Sequence, residues 1–159
     1  MKQAATALAT SMVLLFATGT KAQQMTLYNG KCEVGSHIAE GRATEDLTKR
    51  ESRYFCDSLV MTVYNSPPRV MFQFAEKRAH HGSPLGFVGI PVEKDIYAVN
   101  HVYLEPGVQT PVDQGVCKVF WKGSRLGSLM CGAMILEGER KTVPVVVFTV
   151  TGVAGQIRP

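Results

Sequence analysis

CKVFWKGSRLGSLMC, residues 117–131, sets two cysteines at the outer ends of two apolar runs that flank a short basic turn. Read as an antiparallel hairpin centred on Ser124, the stretch places Trp121 opposite Gly127, Val119 opposite Leu129 and Cys117 opposite Cys131. Opposed residues on paired strands hold their Cβ atoms about 4.5–5.5 Å apart, close to the geometry a disulfide needs. Cys117–Cys131 is therefore the expected bridge. With four cysteines in the chain, Cys32–Cys56 follows by elimination. Structural zinc asks for ligands paired two to four residues apart, and a redox pair asks for C-x-x-C, and neither pattern occurs. On the loop-entropy model, closing loops of about 15 and about 25 residues stabilises the fold by roughly 3 and 3.5 kcal/mol.

A disulfide framework implies an oxidising compartment, and the N-terminus agrees. MKQAATALATSMVLLFATGTKAQQ carries Lys2, an apolar run from Ala4 to Ala17, then small and polar residues. That is the layout of a secretory signal peptide, with cleavage expected after Ala22 and Gly19 as the rival point. The run falls short of the roughly 20 residues a membrane helix needs, so no membrane anchor is expected after cleavage. The expected organisation is a signal peptide at 1–22 and a single secreted β domain at 23–159, soluble in the periplasm or outside the cell. Cleavage removes Lys2 and Lys21 and no acid, so the formal charge drops from +4 to 4 − 2 = +2. The remaining cations are scattered among acids, the pattern of a mixed solvated surface rather than of a nucleic-acid partner.

Outward from the stapled hairpin the chain alternates β-rich runs with turns. MTLYNGKCEV, 25–34, reads as two extended runs around the turn-forming Asn29-Gly30. Residues 36–53 read as a polar loop with a short helical turn near 44–52. SLVMTVY (58–64) and RVMFQFAEK (69–77) form a hairpin across Asn65-Ser66-Pro67-Pro68. Residues 78–95 read as a loop broken by one extended piece at 87–90, and IYAVNHVYL (96–104) as a strand. Glu105-Pro106-Gly107 ends that strand, and a turn-rich stretch leads to the stapled hairpin. TVPVVVFTV (142–150) is a strand and 152–159 a tail. The fold class is all-β: a small antiparallel sandwich or barrel of seven or eight short strands.

For chemistry, G-x-S-x-G, S-x-x-K and H-E-x-x-H are absent. A hydrolase would draw its acid-base groups from the loops at 78–95 and 105–115, which hold His80, His81, Glu93, Asp95, Glu105 and Asp113. His80, His81 and His101 are the candidate metal cluster. Adjacent strand residues point to opposite faces, however, and His101 is expected to share a face with Tyr97, Val99 and Tyr103. No cofactor or metal site is expected. The stronger candidate is the basic tip. A disulfide-closed hairpin holds Lys122 and Arg125 at low entropic cost, with Trp121 at its base, the type of preorganised projection a protein partner accepts into a cleft.

Tyr54-Phe55-Cys56, opening a strand, and Trp121-Lys122-Gly123, ahead of a later cysteine, resemble features of the small periplasmic β-barrel inhibitors of C-type lysozyme. The resemblance covers six residues, and the chain lacks that family's serine-glycine stretch ahead of the tryptophan. It implies inhibition of a cell-wall hydrolase, with Lys122 reaching into an acidic cleft. The framework itself is testable: the folded exported protein is expected to bind no thiol reagent until it is reduced, and labelling at four sites without reduction would refute it.

Overall fold

A computed structural model describes residues 23–76 and 84–157. The leader, His80 and His81 lie outside the described residues. Eleven strands follow one another: β1 (Gln24–Cys32), β2 (His37–Arg42), β3 (Glu51–Arg53), β4 (Ser58–Asn65), β5 (Pro68–Ala75), β6 (Leu85–Glu93), β7 (Ile96–Glu105), β8 (Val108–Pro111), β9 (Gln114–Lys122), β10 (Arg125–Glu137) and β11 (Arg140–Ile157). All pairings are antiparallel. Hydrogen bonding runs β1-β4-β5-β6-β7-β9-β10-β11, and β11 pairs back onto β1, so eight strands close into a ring. The strand-rich, helix-free expectation holds, with eleven strands in place of seven or eight.

Alternation along the strands fills the ring. Leu59, Phe72, Phe74, Phe87, Val102, Leu129 and Phe148 are fully buried inside it. Their rings meet edge-on or tilted: Phe74 lies 6.1 Å from Phe87 and 5.7 Å from Phe148, the second contact joining β5 to β11 across the interior. Both expected disulfides form. Cys117 and Cys131 are direct cross-strand partners with Cα atoms 4.1 Å apart, and both are fully buried. Cys32–Cys56, at 5.0 Å between Cα atoms, ties the excursion 33–55 back to the ring.

Several local expectations are overturned. Asn29-Gly30 is not a turn: β1 runs straight through it. The glycine serves close approach, since a Cβ at position 30 would fall on the Thr149 carbonyl oxygen and 2.5 Å from Phe148 Cζ. Residues 36–53 are not a loop but β2, a 3-10 turn at Leu47–Lys49, and β3. Asp46 caps that turn by accepting from the Thr48 N–H, the helical turn foreseen nearby. β6 extends over nine residues rather than four, because Pro91 falls where pairing with β5 has ended, so its missing N–H costs no ladder bond there. Residues 105–115 contain β8, which pairs with β7. The supposed tail is the end of β11, whose register against β1 slips at two bulges, skipping Thr151 and Ala154. Another bulge, at Asn100, breaks the alternation of β7 and takes His101 off the face of Tyr97 and Val99, which pack into the core.

Tyr54 pins the excursion to the ring. Its hydroxyl donates to the Phe74 carbonyl at 2.9 Å and accepts from the Leu85 N–H at 3.1 Å, so one buried side chain bridges the start of β6 to the end of β5. Burial, the larger effect, pushes its ionisation from 10.0 up to about 12. The neutral phenol is the form that the fold favours, so this stabilisation is complete below pH 10 and disappears as pH rises through about 12. Between those limits the wild type is expected to lose about 3 kcal/mol that Tyr54→Phe does not lose. Urea denaturation of both proteins across that window measures it.

Candidate functional site: the β9–β10 end of the barrel

The β9–β10 hairpin turns through Gly123 and Ser124, with Lys122 and Arg125 paired across the turn and Gly123 at φ +62°. Cys117 and Val119 face Cys131 and Leu129 as the sequence requires. Trp121 does not face Gly127: it pairs with Leu126, and Phe120 pairs with Ser128, so Gly127 is the extra residue of a bulge. Glycine suits the bulge, because a Cβ at position 127 would lie 2.8 Å from Lys122 Cγ, so the methylene stem of Lys122 packs directly against it.

Trp121 is 43% exposed and is not part of the core. Its ring N–H donates to Asp95 Oδ1 at 2.8 Å. Asp95 occupies the β6–β7 turn at φ +63°, and its carbonyl oxygen accepts from the Val119 N–H at 2.9 Å. One residue thus ties the neighbouring turn to β9 through both backbone and side chain, and the indole is held half in solvent. Two clefts flank it. The wider, of about 740 Å³, runs along Lys94, Lys118 and Phe120. The other, of about 540 Å³, is the mouth of the ring, lined by Thr26 and Tyr28 of β1, Lys122, Arg125, and Thr151 and Gln156 of β11. Burial raises the ionisation of Tyr28, partly offset by a hydrogen bond with Thr26.

The charges differ between the two ends. At the far end Arg50 pairs with Glu45 at 2.7 Å and Arg140 with Glu40 at 3.0 Å. Among the described residues neither Lys122 nor Arg125 has an ion-pair partner. The described members of the proposed acid-base set are not brought together. Glu93 and Asp95 lie at the tip end, whereas Glu105 lies at the opposite end and Asp113 accepts from the Leu136 N–H at 2.7 Å. His101 sits apart on the outer wall, in a cleft with Pro68, Val88 and Ile90. No cluster of three metal-ligating side chains occurs among the described residues.

Of the six residues that carry the inhibitor resemblance, Tyr54 and Cys56 are buried in the core and have structural partners, and Trp121, Lys122 and Gly123 belong to the tip. Sequence reasoning did not single out Thr26, Tyr28, Thr151 or Gln156, which come from the two chain ends and have no motif. No protein-family model, curated protein or solved structure matches the chain.

Asp95→Ala is expected to free the indole, lowering the near-ultraviolet dichroism of the single tryptophan and costing about 1–2 kcal/mol. Asp95→Asn keeps an acceptor and tolerates the positive φ, and is expected to retain the signal. Equal spectra for the two variants would show that the 2.8 Å contact does not set the indole.

Proposed function

We propose that the chain is an exported, non-catalytic binding module of the periplasm or extracellular space, engaging an acidic protein partner through the β9–β10 tip. The observation that carries this reading is the pairing of a fixed, half-exposed Trp121 with two cations that have no ion-pair partner among the described residues. Hot spots favour tryptophan and arginine, and a closed two-residue turn gives up little entropy on docking. The two disulfides are consistent with an oxidising compartment, and the leader pattern supports export. Inhibition of a cell-wall hydrolase is the specific form favoured by Trp121-Lys122-Gly123, with Lys122 entering the enzyme's acidic cleft.

Native purification at low salt, with mass spectrometry of what elutes beside the protein, tests it. A stoichiometric partner, released by high salt and lost with Lys122→Ala plus Arg125→Ala, is the expected result. The melting temperature of that double variant is expected to stay within a few degrees of wild type, since both residues are exposed. Retention of the partner by the double variant would remove the tip from the interface.

A further inference from the structure

We infer that the concave mouth beside the tip is a second recognition element, a subsite for an acidic saccharide. The inference rests on the reading of this end of the barrel as a binding surface, but it concerns a different shape: the tip projects, whereas the mouth receives. The mouths of barrels are a common place for ligands, and about 540 Å³ falls within the usual range for small-ligand clefts, roughly 300–1,000 Å³.

The lining chooses the ligand class. Its two charged residues are Lys122 and Arg125, with no carboxylate among the lining residues, so the ligand is an anion. Trp121 and Tyr28 offer aromatic surface for a ring, and Thr26, Thr151 and Gln156 supply hydroxyls and an amide for polar substituents. A sugar ring bearing a carboxylate matches both demands: its C–H faces pack on an indole, and its hydroxyls need short-range polar partners. Two other anions are weighed. An acyl chain finds no depth, because Leu129 and Phe148 fill the barrel beneath and are fully buried. An extended acidic peptide could add to β11 past Thr149, where pairing with β10 has ended, but it would leave the paired aromatic surface and the threonine hydroxyls without a ring to match, so it enters the test as the competing ligand.

The test uses tetragalacturonic acid and its fully methyl-esterified form, which keeps the sugar rings and hydroxyls, removes the four negative charges and adds a methyl to each carboxyl. Binding is followed by emission of the single tryptophan, Trp121, and by calorimetry. The acid form is expected to give a saturable change, weakened by salt, with the ester at least about tenfold weaker. Val153→Phe enlarges a side chain that lines the cleft and is paired with Tyr28, so it fills the mouth and is expected to abolish uronate binding. Thr151→Val, at an exposed position, is the milder variant should the plug disturb folding, and is expected to weaken it several-fold.

Equal affinity for the ester, insensitivity to both mouth variants, or a tetraglutamate peptide binding as tightly as the uronate would each overturn the inference. Capture of the protein partner by Val153→Phe separates the two readings. If that capture persists and wild type shows no uronate binding, the tip stands and the mouth falls. If uronate binds and no salt-sensitive partner is found, the reverse holds.

Discussion

The pairing of β11 with β1 is the constraint on which the remaining structure depends. Without it β1 would be an unpaired edge, and the inward faces of the outermost strands would lose their packing. With it the sheet closes, β1 is paired on both sides, and Phe148 is carried across the interior to Phe74. Closure needs the two backbones to come very near each other, and Gly30 is where they do, since any side chain there would collide with the Thr149 backbone and the Phe148 ring. The bulges at Thr151 and Ala154 add local twist to β11, a long strand that pairs with β2 along its first half and with β1 along its second.

That closure also builds the candidate site. It sets the start of β1 and the end of β11 beside the β9–β10 tip, so that Thr26, Tyr28 and Gln156 share a cleft with Lys122 and Arg125. Neither cation could supply recognition alone, because an exposed flexible side chain gives up much of its gain to entropy. The turn geometry at Gly123, the bulge at Gly127 and the Asp95 anchor of Trp121 narrow that freedom before any partner arrives.

The excursion between Cys32 and Cys56 has the opposite character. Charges within it pair with each other or with β11, as Glu45 does with Arg50 and Glu40 with Arg140, while Glu33 pairs with Lys31 of β1, and its short edge strand β3 carries Glu51 and Arg53. Charged, short edges resist unwanted strand pairing. Its disulfide and the two hydrogen bonds of Tyr54 keep it attached to the ring. The half of the inhibitor resemblance that lies at Tyr54-Phe55-Cys56 therefore has its physical explanation in this attachment, and the half at Trp121-Lys122-Gly123 faces solvent.

The sequence alone determined the all-β class, the Cys117–Cys131 bridge, the β4–β5 hairpin and the stapled hairpin, because these follow from short-range alternation and from residues that oppose each other across one turn, and Cys32–Cys56 then followed by elimination. It also exposed the basic tip, where Lys122 and Arg125 are three positions apart. What it obscured were the elements whose cues are non-local. Gly30 resembled a turn residue until the Thr149 backbone came against it, and the glycines of 152–157 resembled a tail until β1 paired with them. The tertiary structure alone decided ring closure, the half-exposed setting of Trp121 and the mouth cleft. Each depends on contacts between segments far apart in sequence, such as β1 with β11 and Asp95 with Trp121, which no local periodicity encodes.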